Sequence, residues 1–115
     1  MAQKKHAPKT VWAAMLAALN DIQSITGALA VFDMKRAATI ADGLAKRERF
    51  ISNITRLSDE TRKGHAKVAK VAGELAAAAR SGEEQEVATK IGGVLAACSS
   101  CHYNVRDAER RKKMK

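Results

Sequence analysis

The sequence predicts an all-α protein, an antiparallel four-helix bundle, on three observations. The single proline, Pro8, lies near one end of the chain, where it does not interrupt a helix. Alanine is abundant and runs of β-branched residues are absent, which favours helix because alanine loses the least side-chain entropy there. Four stretches carry apolar residues at helical spacing and are joined by short turns, an order typical of antiparallel bundles. No strand pattern competes with this interpretation.

The first helix is predicted from about Thr10, a suitable cap, to Val31. Its apolar residues continue at helical spacing past the polar residues that follow Leu19. This predicted inward stripe consists of Trp12, Met15, Leu16, Leu19, Ile22, Ile25 and Leu29. The second helix is predicted to begin after Asp33 as its N-cap and to continue to about Leu57. We interpret its KRER segment at 46–49 as a solvated surface.

The third helix is predicted to begin after Ser58 as its N-cap and to end at Ser81-Gly82. Its apolar stripe consists of His65, Val68, Val71, Ala72, Leu75 and Ala79. The fourth helix is predicted to begin near Glu83, where acidic residues favour the positive end of the helix dipole. Its stripe is Val87, Ile91, Val94, Leu95, Cys98, Cys101 (or His102) and Val105.

The chain of 115 residues is expected to form one domain, 1–115, with a mobile basic leader at 1–9 and a mobile basic tail at 107–115. Aromatic residues make up only 3% of the sequence. A core of Ala, Leu, Ile and Val alone would be thin at this length. The composition therefore permits a large apolar ligand that would supply the missing bulk.

The formal net charge of +9 predicts attraction to an acidic surface. Nucleic acid is not the expected partner, because the chain lacks a recognised motif and has few aromatic residues for stacking. The apolar run near the N-terminus is far shorter than the ~20 residues that span a bilayer, so no membrane span is expected. Periodicity past Asn20 favours a helix over a signal peptide, which indicates a mature chain. The sequence shows neither a pair of carboxylates nor a nucleophile–base arrangement that would indicate catalysis, so an enzyme is not expected.

The only two cysteines lie in the sequence CSSCH, at Cys98 and Cys101, directly before His102. Positions i, i+3 and i+4 of a helix share one face, so the three side chains project together towards the bundle core. C-x-x-C-H is the attachment signature of c-type haem. The two sulfurs bond to one edge of the porphyrin, and the imidazole is an axial ligand of the iron. The sequence thus predicts a four-helix bundle with one covalently bound haem c.

Other uses of the three residues stay open. A zinc site requires four ligands as a rule, and only His6 and His65 are available to complete a set. A disulfide within one helical turn closes a loop of little entropic value. A thioredoxin-like pair requires a βαβ context, which the sequence lacks. Two unmodified buried thiols are the remaining alternative.

The segment IGGVLAACSSCHYNVR, on the last helix of a four-helix bundle, resembles the class II cytochromes c. That family includes cytochrome c′ and its low-spin relatives. The resemblance implies that His102 is the proximal iron ligand and that Arg106 lies near the haem edge, where it would meet a propionate. Val105 stands where the family usually has Phe or Tyr. The resemblance also implies export to the periplasm, and homodimers through the first two helices; Ala13, Ala14, Ala17 and Ala18 would allow close helix approach there.

In this family the first helix covers the distal face of the haem, which points to Met15, Leu16 and Trp12 as haem-contacting residues. Met15 as the second axial ligand, opposite His102, would give low-spin iron that transfers electrons to and from an acidic redox partner. Leu16 in that place would leave five-coordinate iron that binds nitric oxide or carbon monoxide, as in cytochrome c′. His65 is a further candidate ligand. The hypothesis of a haem-free protein, a basic helical binding module, also stays open.

Overall fold

The computed structural model of the protein describes the backbone of residues 7–113 and the side chains of residues 12–104, 106, 107, 110, 111 and 113. Within that range the chain is all-helical and forms four helices without a strand. They are α1 (Ala7–Ala30), α2 (Met34–Ser52), α3 (Asp59–Arg80) and α4 (Glu84–Lys113). A short turn joins each helix to the next, and consecutive helices pack against each other. Neighbouring helices therefore run in opposite directions and form a four-helix bundle.

The predicted N-caps of α2 and α3 are confirmed. Asp33 Oδ1 accepts a hydrogen bond of 3.1 Å from the Arg36 backbone N–H. Ser58 Oγ accepts one of 3.2 Å from the Thr61 backbone N–H. Each bond satisfies one of the backbone donors that a helix N-terminus leaves without an intrahelical acceptor.

The predicted end of α2 at Leu57 is wrong, because the helix ends at Ser52. Ser52 Oγ and Asn53 Nδ2 both donate hydrogen bonds to the carbonyl oxygen of Arg49. Polar side chains that bond to the local backbone in this way offer it an alternative to the helical ladder. Residues 53–58 therefore form the turn that leads into α3, and Ile54 and Leu57 are only half-buried there.

The interpretation of the KRER segment as a solvated surface is wrong at one position. Glu48 is 2% exposed. It lies one helical turn from Leu44 and less than one turn from Ile51, which are both buried on the same face of α2. Helical spacing thus places the Glu48 carboxylate on the buried apolar stripe of α2. The charged residue type alone had indicated that it would face solvent.

The core consists mainly of alanine. Among the described residues, the largest side chains that are fully buried are Ile25, Leu44, Leu75, Val87 and Val94. All four aromatic side chains, which the structure describes, are exposed rather than buried: Trp12, Phe32, Phe50 and Tyr103. Small residues let α2 and α3 pack most extensively, whereas α1 and α4 pack least among the four pairs of adjacent helices. The interior is therefore well filled between α2 and α3 and poorly filled between α1 and α4.

The sequence predicted a mobile leader at 1–9 and a mobile tail at 107–115, and the structure describes part of each segment. Residues 1–6 of the predicted leader, including His6, and residues 114 and 115 of the tail lie outside the described residues. Ala7–Lys9 belong to α1, and the tail from Asp107 to Lys113 continues α4. Among the helices of the described range, none combines the length and the apolar character that crossing a bilayer requires.

Gly64 on α3 is required by a close approach to α4. A Cβ atom at residue 64 would lie 2.9 Å from Cys101 Cβ and would overlap Cys101 Sγ. Gly73, on the same helix, has no neighbouring atom within 4 Å of the place where its Cβ would lie. The two glycines of α3 therefore differ in their surroundings although they share a helix.

We expect Gly64→Ala to lower the free energy of unfolding by about 1–3 kcal/mol, because overpacking forces neighbouring atoms to shift. Gly73→Ala is the matched control, and we expect it to raise stability by roughly 0.5–1 kcal/mol because alanine is the better helix former. Urea denaturation followed by circular dichroism measures both. Equal stability changes for the two variants would show that the α3–α4 contact is loose.

Candidate functional site

A cavity of about 510 Å³ lies between α1 and α4, where these helices pack least. Side chains from all four helices line it. His65, the further candidate ligand on α3, lines it. From α1 and α4 the cavity brings together the residues for which the sequence predicted a role at a bound haem: Trp12, Met15, Leu16, Cys98, Cys101, His102 and Arg106. The residues from α1 and α4 belong to two segments that lie more than 75 positions apart in the sequence. The fold thus collects them at one place.

The CSSCH motif lies on one face of α4, as helical spacing predicts. Both thiols are free and half-buried. Cys101 packs against Gly64 of α3, and Cys98 packs against the alanine-rich core. His102 is exposed, and it lines both the cavity and a shallower surface pocket with Ser99. The sulfurs therefore lie at the inner side of the cavity and the imidazole at its solvent side.

The wall opposite the motif is apolar and belongs to α1. Trp12, Leu16 and Leu19 line the cavity, yet they are 62%, 53% and 49% exposed. Their side chains follow the predicted stripe, but α1 stands too far from α4 for protein atoms to cover them. Met15, on the same stretch of wall, is half-buried. Exposed apolar side chains gathered around one cavity are typical of a ligand-binding site.

A buried polar pair, Glu48 and His65, forms part of the inner wall. His65 Nδ1 and Glu48 Oε1 are 2.5 Å apart, and the two residues are 5% and 2% exposed. Glu48 Oε2 and His65 Nε2 are buried, and neither has a hydrogen-bond partner among the residues that the structure describes. The sequence placed His65 on the inward stripe of α3 but did not reveal Glu48. The signal for Glu48 was its position, one turn after Leu44 on the buried stripe of α2.

The environment of the motif raises the pKa values of both thiols. Burial, followed by the negative charge of Glu48 and a smaller effect of Cys101, raises the pKa of Cys98 from 9.0 to about 11. Burial and then Glu48 also raise the pKa of Cys101. Both thiols are therefore protonated near neutral pH. Since the thiolate is the reactive form, neither sulfur is a strong nucleophile without help.

The residues that line the cavity fit a haem. Its volume falls within the range of pockets that enclose small-molecule ligands, roughly 300–1,000 Å³. Two sulfurs and an imidazole at C-x-x-C-H spacing face into it, and the remaining wall is almost entirely apolar. Among the described residues, no group of three or more His, Cys, Asp or Glu is arranged to hold a metal ion. Haem iron does not require such a group, because protein side chains supply only its axial ligands.

Comparisons with protein-family models, with curated proteins and with solved structures found no match. The resemblance to class II cytochromes c therefore rests on the motif and on its place in the bundle.

Thiol alkylation tests the environment of the motif. In chain produced without haem attachment, we expect iodoacetamide at about pH 8 to modify Cys98 about a hundredfold more slowly than in the urea-unfolded chain, because the raised pKa leaves little thiolate. The rate should rise with pH until the thiol ionises near pH 11. A Cys101→Ser variant isolates Cys98. Equal rates in the folded and unfolded chains at pH 8 would contradict the described burial.

Proposed function

We propose that this protein is a c-type cytochrome that carries one covalent haem and transfers electrons. One observation carries the proposal. The two sulfurs and the imidazole of a haem-attachment motif line a large apolar cavity whose opposite wall, on α1, leaves Trp12, Leu16 and Leu19 uncovered by the described residues. A flat apolar group in that cavity would cover Trp12, Leu16 and Leu19 and would supply the bulk that the alanine-rich core lacks.

The residues of the cavity have distinct roles in this proposal. Cys98 and Cys101 would hold the haem by two thioether bonds, and His102 would be one axial ligand of the iron. Met15 lines the facing wall and would be the second axial ligand through its sulfur. Arg106 lies at the exposed edge, where its guanidinium would bind a haem propionate. When bound, the haem supplies a one-electron couple between ferric and ferrous iron.

The positive charge of the surface beside the motif supports the proposal of an acidic redox partner. The end of α4 exposes the positive charges of Arg106, Arg110, Arg111 and Lys113. Asp107 Oδ2 pairs with Arg111 and neutralises part of this charge. A positive surface next to the site would steer a negatively charged partner towards it and accelerate association at low ionic strength. We therefore propose a carrier that docks onto an acidic protein, and we assign no catalytic residue.

Two further proposals follow from covalent haem attachment and from the resemblance. Attachment normally takes place outside the cytoplasm, which supports a periplasmic protein. A homodimer would use α1 and α2. Ala14 and Ala18 are already buried within the chain, whereas Ala13 is exposed and remains free for close helix contact.

The second candidate function is a five-coordinate haem protein, similar to cytochrome c′, that binds nitric oxide or carbon monoxide. Leu16 favours it, because this residue lines the same wall of the cavity as Met15. If the leucine rather than the methionine faced the iron, no side chain would occupy the sixth position. A diatomic gas would then enter against an apolar surface.

The proposal is tested on protein expressed with a haem-maturation system. We expect the mass of the chain plus one haem, and optical spectra of low-spin iron in both oxidation states that carbon monoxide does not change. A high-spin ferrous spectrum with carbon monoxide binding would favour the second candidate. A colourless chain of unmodified mass would overturn both candidates.

The ligand assignment is tested by Met15→Ala. Loss of the thioether sulfur would open the sixth position, so we expect high-spin ferrous iron that binds carbon monoxide. Leu16→Ala, at the adjacent position of the same wall, should retain the low-spin spectrum of the parent protein. An unchanged low-spin spectrum in Met15→Ala would exclude Met15 as a ligand.

A further inference from the structure

We propose that the buried Glu48–His65 pair lowers the reduction potential of the redox group held in the cavity. This inference rests on the proposed function, because it requires a haem between α1 and α4. It assigns a function to Glu48, for which the sequence predicted no role, and a positioning function to His65, which the sequence offered only as a candidate ligand. The carboxylate is the charged element, and the imidazole holds it in place.

The geometry makes the pair part of the cavity wall. Glu48 comes from α2 and His65 from α3, the two helices that pack most extensively. The 2.5 Å contact between His65 Nδ1 and Glu48 Oε1 fixes both side chains. Each also presents a second polar atom, Glu48 Oε2 and His65 Nε2, that is buried and has no partner. Both residues line the cavity that holds the CSSCH motif.

Stability does not explain why this pair is buried. A buried carboxylate loses its hydration, and one hydrogen bond from a neutral imidazole offsets only part of that cost. Two unpartnered buried atoms add a further cost. An apolar pair at these two positions would continue the stripes of α2 and α3 without either cost. A buried polar pair that faces a cavity therefore points to a role towards the group inside it.

The buried atoms without a partner favour one negative charge on the pair. A neutral imidazole that donates Nδ1–H to the carboxylate leaves Nε2 as an acceptor, and the pair carries one negative charge. An imidazolium would instead bury a charged N–H donor without an acceptor, which is more costly. The short contact with Glu48 Oε1 is of the kind that orients an imidazole in one tautomer.

Other charged groups around the pair do not neutralise it. Arg47, the neighbour of Glu48 on α2, donates to Asp21 at 2.6 Å. Arg62 on α3 donates to the carbonyl oxygen of Ser52. The cavity-lining side chains described on α1 are apolar, and α4 contributes the two protonated thiols, His102 and the exposed Arg106. Within the described part of the chain, His65 is thus the only side chain that hydrogen-bonds the carboxylate.

A fixed negative charge in an apolar cavity favours the oxidised form of a redox group beside it. Oxidation leaves the group with one more positive charge, which the carboxylate attracts. The low effective dielectric constant of the interior keeps this attraction strong, whereas water and salt screen charges on the surface. Glu48 should therefore lower the reduction potential far more than a carboxylate on the outside of the same helix.

The test compares reduction potentials of the holoprotein, measured by optical redox titration. Glu48→Gln removes the charge and keeps the shape of the side chain. We expect it to raise the ratio of ferrous to ferric protein about tenfold at a fixed potential, which is about 59 mV for one electron. The matched control is Asp42→Asn on α2, which removes the same charge from a side chain that is 37% exposed. We expect the control to change the ratio less than twofold.

Two more variants separate charge from structure. Glu48→Asp retains the carboxylate, so its reduction potential should lie closer to that of the parent protein than the potential of Glu48→Gln does. If Glu48→Gln fails to fold, the double variant Glu48→Met with His65→Leu replaces the pair by apolar residues and should show the same rise. A rise in Glu48→Gln or in the double variant no larger than that of Asp42→Asn would overturn the inference. Parent protein without covalent haem would overturn the proposed function and the inference together, whereas equal potentials in haem-containing variants would overturn the inference alone.

Discussion

At Gly64 and Cys101, α3 and α4 approach so closely that a single methyl group would not fit between them. This contact determines how deep the motif lies in the bundle. Because Cys101 is held against α3, Cys98 faces the core and His102, one position further on, faces the solvent side of the cavity. The small residues of α2 and α3 draw these helices together in the same way. α1 has no comparable contact with α4, and the cavity lies in the space between them.

The cavity combines two kinds of wall that have different physical effects. The α1 wall is apolar and exposed, so that covering it is favourable by roughly 25 cal/mol for each Å² removed from water. The inner wall contains the Glu48–His65 pair, whose carboxylate is unfavourable to bury unless an opposite charge or further hydrogen bonds offset the lost hydration. A haem in this space would gain stability from the first wall and would have its electronic properties tuned by the second. Stability and tuning thus depend on different helices.

Charge is distributed unevenly over the molecule. The formal net charge is +9, and positive side chains are concentrated where α4 extends past the motif. The inner wall of the cavity carries the carboxylate of Glu48, whereas Arg106 lies at its exposed edge. The same carboxylate contributes to the raised pKa values of Cys98 and Cys101, which keeps both sulfurs protonated near neutral pH. The positive exterior at the end of α4 therefore surrounds an inner cavity wall that carries a carboxylate.

The sequence by itself determined the four helices, the N-caps at Asp33 and Ser58, and the common face of Cys98, Cys101 and His102. These features depend on local rules, namely alanine content, capping side chains and the helical period, which act over a few residues. Only the tertiary structure decided that Trp12 and Leu16 are uncovered and that Glu48 is buried against His65. Those outcomes depend on how closely each pair of helices packs, and therefore on residues that are distant in sequence. A charged residue on a helix indicates solvent until the neighbouring helix shows which face is covered.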